Sequence, residues 1–274
     1  MNVIKLSAPV TRAFWEIPVL FEDEHLLALD KPAGLLTSPD RENLELPNLM
    51  RLLHDAIKAG KPWAAQRGLT YLSNAQRLDC ETSGVILLAK SKPAFLALAN
   101  LFGTDQPQSK YFALIARTPS SDHFEMEAKI APNALQLDLV RIDPNTGKRA
   151  KTVFDVVEKF SDHTALHCRP LTNRLHQIRI HLKHAGFPII GDKLYGGKPL
   201  WLSRLKKDFR LKPGREERPL ISRVALHAEE LALTHPVTQQ PVTITAPLPK
   251  DLRVALRYLR EFSGSGRAAD HSLE

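Results

Sequence analysis

The feature of this sequence best suited to chemistry is a carboxylate placed directly before a buried strand. Asp79 lies in residues 77–84, Arg-Leu-Asp-Cys-Glu-Thr-Ser-Gly, and the apolar run Val-Ile-Leu-Leu-Ala-Lys follows at 85–90. Apolar and β-branched residues bounded by turn residues predict a strand, so Asp79 is expected on a loop that a rigid element fixes. Gly84 would let backbone or ligand approach closely. A capped turn is the alternative explanation for an Asp beside Ser, Thr and Gly.

The densest group of polar side chains is residues 174–186, Arg-Leu-His-Gln-Ile-Arg-Ile-His-Leu-Lys-His-Ala-Gly. Leu175 and the apolar positions three and seven residues later predict an amphipathic helix, with Asn173 as its N-cap and Gly186 as its stop. His176 and His181 lack the i, i+4 spacing of zinc helices. His181 and His184 are interpreted as a surface pair, and no metal site is predicted.

Two further helices are indicated by local signals. Pro93 opens a helix over 94–102 that Gly103 ends. A closing helix over 248–262 carries Leu252, Leu256 and Leu259 on one face. These helices, together with strands at 17–31, 85–90, 110–115 and 242–246, place the chain in the α+β class.

The bulk composition favours a globular protein with an anionic partner. The chain has 274 residues, of which 43% are hydrophobic and 25% charged, and its net charge is +8. This suits one large domain or two small ones, and the positive charge favours nucleic acid. Cys80 and Cys168 form no C-x-x-C pair, which argues against a zinc site and a disulfide framework. The N-terminus lacks the apolar core of a signal peptide, and no run could span a bilayer, so we expect a cytoplasmic protein without a membrane partner.

The most basic stretch is residues 201–223, which contains eight Lys and Arg residues and only three carboxylates. Trp201 and Phe209 lie among these charged residues. This composition suits an insertion that contacts RNA through phosphates and base stacking. A solvated basic loop explains it equally well.

The segment around Asp79 resembles the R-L-D-x-x-T-S-G signature of the RluA family of pseudouridine synthases. Other stretches are similar to the family's motifs in the expected order, over residues 19–262. The first is an acidic turn followed by an apolar strand and K-P-A-G at 31–34, and the second is Lys-Tyr before a strand at 110–115. The third is R-x-H-Q-I-R-x-H-L at 174–182, followed by G-x-P-I-x-G-D at 186–192. The last is L-H-A at 226–228. Gln76 and Asn173 stand where the family commonly has His and Gly.

The resemblance implies a fold and a set of site residues. The fold is α+β, with a mixed, largely antiparallel sheet in two halves and a central catalytic cleft. Asp79 is the catalytic carboxylate, Tyr111 stacks on the target base, and Arg179 pairs with Asp79 and keeps it ionised. The residues implied to contact or approach RNA are Lys31, Arg77, Arg174, His176, Gln177, His181 and Leu226.

The resemblance also implies a domain plan. Residues 1–18 are an N-terminal extension, 19–262 the catalytic domain with the basic insertion at 201–223, and 263–274 a flexible tail. Fewer than twenty residues precede the first motif, so we expect no appended N-terminal RNA-binding domain. A monomer is expected.

The reaction implied is isomerisation of uridine to pseudouridine in ribosomal or transfer RNA, without cofactor or metal. Asp79 would act as nucleophile at C1′ or as base at the 2′ position, and the sequence leaves both open. A glycosidase would need a second acid near Asp79, and Glu81 is two residues away. A non-catalytic RNA-binding protein needs the basic surface but not Asp79. The joint presence of Asp79, Tyr111 and Arg179 favours the enzyme.

Overall fold

A computed structural model of the protein describes residues 2–8, 11–40, 43, 45–104, 107–134, 136, 139–212 and 214–264. The chain divides into two compact units, Met1–Ser109 with Ala228–Pro247, and Lys110–His227 with Leu248–Glu274. Most of the predicted flexible tail, residues 265–274, lies outside the described residues. Within the described residues, no helix is long and apolar enough to cross a bilayer.

The first unit is built on antiparallel strand pairs. Its strands are β1 (Val3–Ala8), β2 (Ala13–Glu22), β3 (Leu26–Lys31), β4 (Ser73–Asn74), β5 (Ser83–Ala89), most of β11 (Leu226–Thr234) and β12 (Pro241–Thr245). The order is β1-β2-β3-β5-β11, with β4 paired to β5 and β12 to β11. Its helices are α1 (Leu49–Lys58), α2 (Pro62–Ala65) and α3 (Lys92–Gly103).

Strand β5 is the centre of this unit and follows directly from the apolar run in the sequence. All seven of its residues are buried. Val85, Leu87 and Ala89 pack with Ala94 and Leu98 of α3 in one apolar cluster. Side chains on both faces of a central strand are covered, which explains a continuous apolar run in place of alternation. The strand therefore gives a rigid anchor to the loop that precedes it.

The second unit also has mostly antiparallel strands, in the order β6-β10-β9-β7-β8. These are β6 (Gln108–Ala116), β7 (His123–Pro132), β8 (Val140–Ile142), β9 (Lys148–Lys159) and β10 (His163–Pro170). Its helices are α4 (Gln177–His184), α5 (Leu202–Leu205) and α6 (Lys250–Phe262), and residues Lys193–Tyr195 form a 3₁₀ turn. Leu252, Leu256 and Leu259 of α6 are buried in the core with β6 and β10, as the spacing predicted. The predicted α+β class is confirmed.

One half-buried carboxyl group makes the stability of the first unit depend on pH. Asp30 lies opposite Val85 in the β3–β5 pair, and burial raises its pKa to about 6. The adjacent Lys31 opposes that rise only in part. The folded state thus holds this proton more tightly than the unfolded chain, so folding stability is lost as pH rises from about 4 through 6.

Asp30→Asn is therefore expected to stabilise the protein above pH 6 and to bring little gain near pH 4. Thermal melts of wild type and variant at pH 4, 6 and 8 measure this difference. Asp208→Asn, at an exposed aspartate, is the control for loss of one negative charge. An Asp30→Asn effect that is equal at all three pH values would contradict the expectation.

Candidate active site

Asp79 lies on the short connection between β4 and β5, as predicted. The Thr82 N–H donates to the Asp79 carbonyl at 3.1 Å, which closes a turn over Cys80 and Glu81. Asp79 itself is half-buried and Arg77 is exposed. The loop thus combines a main chain fixed by hydrogen bonds with polar side chains that solvent reaches.

Lys31 connects this loop to the K-P-A-G segment by hydrogen bonds. Its side chain is fully buried, and its ammonium donates to the carbonyls of Pro32 at 2.9 Å, Leu35 at 2.7 Å and Cys80 at 3.2 Å. The Gly34 N–H donates to the same Cys80 carbonyl at 2.8 Å. An ammonium has three donors, so three carbonyls match its capacity. The resemblance implies that Lys31 contacts or approaches RNA, but its full burial fits a residue that positions the Asp79 loop and not a phosphate contact.

Lys31→Met is expected to lower the free energy of unfolding by about 3 kcal/mol, because it removes a charged donor from three carbonyl oxygens. Pseudouridine formation should fall as well, since the Cys80 carbonyl next to Asp79 loses one of its hydrogen-bond donors. Urea denaturation and an activity assay on the same preparations test both effects. Lys58→Met, at an exposed lysine, is the control and should shift stability by less than about 0.5 kcal/mol. A Lys31→Met protein as stable as this control would mean that the hydrogen bonds from Lys31 contribute nothing to the free energy of unfolding.

Thr37 holds the residue on the other side of Asp79. Its hydroxyl donates to the Leu78 carbonyl at 2.8 Å and accepts from the Leu78 N–H at 3.2 Å. Both residues are buried. Asp79 is therefore flanked by two main-chain anchors, at Leu78 and at Cys80. Thr37 was not predicted as a site residue, because a lone Thr in a loop carries no signal for a partner 41 residues away.

Arg179 lies on α4 in the second unit and is buried with a carboxylate. Its Nε and Nη2 donate to the two carboxylate oxygens of Asp192, each at 2.8 Å. The guanidinium carbon lies 5.1 Å from the centroid of the Tyr195 ring. Arg179 and Asp192 are 3% and 0% exposed, and a buried charge of this kind requires such pairing. This pair fixes the orientation of the guanidinium, and it uses two of the five donors that the group has.

Tyr195 supports this arrangement and was also missed in the sequence. Its hydroxyl accepts from the Val140 N–H at 3.1 Å and lies 2.9 Å from His176 Nδ1. Its own N–H donates to Asp192 at 3.3 Å. The only local signal is the three-residue spacing from Asp192, which is typical of a side chain that caps a turn.

The predicted start of helix α4 was wrong. The helix begins at Gln177, its N-cap position is His176 with a left-handed φ of 50°, and Leu175 is 53% exposed. Gln177 explains the late start: its amide donates to Lys151 O at 2.9 Å and to Thr152 Oγ1 at 3.0 Å. These bonds to β9 set where the helix begins, so tertiary contacts override the local capping signal.

Several residues implied to contact RNA are internal. Gln177 and His181 are buried, and His181 Nδ1 lies 3.0 Å from Thr152 Oγ1. Burial lowers the pKa of His181 to about 4, so it is neutral at pH 7. The interpretation of His181 and His184 as a surface pair was therefore wrong. Leu226 is 4% exposed and belongs to the core of the second unit.

The other predicted residues are more accessible. Arg174 and His176 are half-buried, and Arg174 donates to the Asn173 carbonyl at 2.9 Å. Tyr111 is half-buried on β6, opposite Cys168 of β10, and packs against the core of the second unit. Among the described residues, no group of three or more His, Cys, Asp or Glu side chains could hold a metal ion.

Comparison with known proteins identifies the class. A family model for RNA pseudouridylate synthases matches residues 25–184. The chain therefore belongs to the RNA pseudouridylate synthase family. It is an isomerase that converts uridine in RNA to pseudouridine.

Individual relatives place it with the RluA-type enzymes. The chain is 38% identical to ribosomal large subunit pseudouridine synthase D of Xylella fastidiosa over 249 residues, which cover 90% of this chain and 70% of that protein. It is 30% identical to the dual-specificity RNA pseudouridine synthase RluA of Escherichia coli, over 84% of this chain and 92% of that one. The solved structure of human RNA pseudouridylate synthase domain containing 4 aligns with a TM-score of 0.65 at 23% identity, covers 88% of this chain and 92% of that chain, and shows the same fold.

Proposed function

We propose that this enzyme modifies specific uridines in ribosomal or transfer RNA and that Asp79 is its catalytic carboxylate. The observation that carries the proposal is the anchoring of the Asp79 loop. Lys31 and Thr37 hold the main chain on both sides of Asp79, while the residue itself stays half-buried. Catalysis needs a carboxylate held in a fixed direction, and this loop supplies one.

The chemistry requires one bond to break and another to form on the same nucleoside. The C1′–N1 bond breaks, the uracil turns, and a C1′–C5 bond forms; C5 then loses its proton and N1 gains one. Asp79 acts as nucleophile at C1′ or as base at the 2′ carbon, and both roles start from the ionised carboxylate. The target base must leave its stack before either step can begin.

We assign the supporting roles by the same reasoning. Tyr111 stacks on the extruded base, a contact worth roughly 1–3 kcal/mol for aromatic side chains. Arg179 keeps the catalytic carboxylate ionised, since an opposite charge favours the charged form. Its guanidinium is suited to this because Asp192 holds it by two hydrogen bonds. Arg77, which is exposed, occupies the gap that the flipped nucleotide leaves.

The RNA class is proposed from the relatives. The similarity to ribosomal large subunit pseudouridine synthase D supports ribosomal RNA. Transfer RNA stays the second candidate from the sequence. The monomeric state and the cytoplasmic setting stay predictions.

The test is a transcriptome-wide pseudouridine map in a strain that lacks this gene, complemented with wild type or Asp79→Ala. We expect one or a few sites to vanish and only the wild type to restore them. Restoration by Asp79→Ala would overturn the catalytic assignment. If no site is lost in that strain and purified protein forms no pseudouridine on RNA, the result would point to an RNA-binding protein without activity.

A further inference from the structure

The second unit contains a pocket that is lined by none of the proposed catalytic residues. Its volume is about 390 Å³, which lies within the range of small-molecule sites. It is lined by His163, Lys198, Pro199, Leu200, Trp201 and Arg204.

The floor of this pocket is held by main-chain hydrogen bonds. The Leu200 N–H donates to Ile221 O at 3.0 Å, and the Leu220 N–H donates to Leu200 O at 2.7 Å. The Gly191 N–H donates to Lys198 O at 2.9 Å. Leu200 is 3% exposed and belongs to the core of the unit. The floor is thus formed by the fold and does not depend on a ligand.

The lining suits a flat ring that carries an anion. Trp201 is half-buried, and Lys198 and Arg204 are exposed. Pro199 and Leu200 complete an apolar lining next to Trp201, on whose ring a base can stack while cations bind its phosphate. Burial lowers the pKa of His163, so this imidazole is neutral at pH 7 and adds no charge. Asp162, next to His163 in sequence, is exposed.

The segment that supplies Trp201 and Arg204 to the pocket carries a strong positive charge. Within the basic segment 201–223, seven cations are exposed: Arg204, Lys206, Lys207, Arg210, Lys212, Arg215 and Arg218. Arg223 differs from the prediction, since it is half-buried and pairs with Asp251 at 2.7 Å. Of the three carboxylates, Glu217 accepts from the Ser203 N–H at 2.9 Å. This excess of exposed cations favours a polyanion.

The pocket lies too far from Tyr111 to hold the base that Tyr111 is proposed to stack on. His163 pairs with Ala116 and Cys168 pairs with Tyr111 in the β10–β6 register. These two pairs are five residues apart, which is roughly 17 Å along a strand. A ligand in the pocket is therefore a different nucleotide from the one undergoing the reaction.

We propose that this pocket binds one unpaired nucleotide of the substrate RNA, with the base on Trp201 and its phosphate between Lys198 and Arg204. The inference rests on the proposed action of the enzyme on ribosomal or transfer RNA. It gives the enzyme a second contact that selects RNAs with a single-stranded nucleotide at a set distance from the target.

Photo-cross-linking tests the place of binding. The full chain is irradiated with an oligouridylate decamer that carries one 5-iodouridine, which reacts with stacked aromatic side chains. We expect a cross-linked peptide that contains Trp201 and its loss in Trp201→Ala. Cross-links confined to other peptides would overturn the proposal.

Affinity measurements test the chemistry with the same decamer and a fluorescent label. Trp201→Ala should weaken binding about tenfold, whereas Trp201→Phe should stay within about threefold of wild type. Arg204→Ala should lower the slope of log affinity against log salt by about one. Phe14→Ala and Lys58→Ala, at an exposed aromatic residue and an exposed lysine of the first unit, are the matched controls. Trp201→Ala affinity equal to that of Phe14→Ala would refute the site, and circular dichroism checks that each variant folds.

An activity assay separates this inference from the proposed function. Wild type and Trp201→Ala are incubated with RNA from a strain that lacks the gene. If the wild type forms no pseudouridine, the proposed function fails. If the wild type is active and Trp201→Ala has the same KM, the proposed function stands and the pocket proposal fails. A raised KM in Trp201→Ala supports both.

Discussion

Asp79→Asn is expected to abolish pseudouridine formation while RNA affinity stays within about twofold of wild type. Asparagine has nearly the same size but carries no negative charge, so it serves neither as nucleophile nor as base. Loss of such a group costs on the order of 10²–10⁴ in rate or more. RNA affinity should persist because Lys31 and Thr37 hold the loop through the main-chain carbonyls of Cys80 and Leu78. The substitution at Asp79 leaves these atoms in place.

Single-turnover assays on the mapped RNA measure the rate, and fluorescence anisotropy with the same RNA measures affinity. Glu81→Gln is the matched control, because it removes a carboxylate two residues away in the same turn. We expect it to keep activity within about threefold. Inactivation by Glu81→Gln alone would favour a mechanism with a different carboxylate, and an active Asp79→Asn protein would end the proposed mechanism.

The parts of the fold that the sequence predicted depend on contacts between residues near each other in the chain. The helix expected at 94–102 is α3, Lys92–Gly103, and the Ser91 hydroxyl accepts from the Ala94 N–H to cap it. Strand β5 follows from its apolar run and the turn residues before it. Each of these signals lies within a few residues of the structure that it specifies, so a single sequence was enough.

The parts that the sequence did not predict depend on partners far apart in the chain. Lys31 and the Cys80 carbonyl are 49 residues apart. Neither periodicity nor motif spacing in the sequence shows that the side chain of Lys31 is fully buried in the fold. The start of α4 failed for a similar reason, because Gln177 bonds to Lys151 and Thr152 on β9. Candidate residues could be named from motifs, but which of them face solvent and which position others required the three-dimensional contacts.

Gly84→Ala is expected to destabilise the first unit by about 4 kcal/mol or more, the upper end of the range for single substitutions. The sequence predicted a close approach at Gly84 but could not identify the neighbour, which is the backbone of β11. A Cβ at Gly84 would lie 2.2 Å from the Ala228 carbonyl oxygen, and the φ of +113° is itself unfavourable for alanine. Neither group can turn away, since both belong to the main chain of central strands, so the strands must separate and apolar contacts are lost. Urea denaturation measures the stability, and a lower kcat should follow because β5 anchors the Asp79 loop.

Gly60→Ala separates the two parts of this cost. Gly60 has a φ of +62°, but no atom lies within 4 Å of the place that an alanine Cβ would take, so only the left-handed backbone is disfavoured. That change should cost about 1 kcal/mol. The excess in Gly84→Ala then reports the contact with Ala228 together with the more unfavourable φ of +113°. It ties stability to the proposed function, because the same strand β5 anchors the loop of the proposed catalytic carboxylate. Equal losses in the two variants would show that the strands adapt and that the position of Asp79 does not depend on this contact.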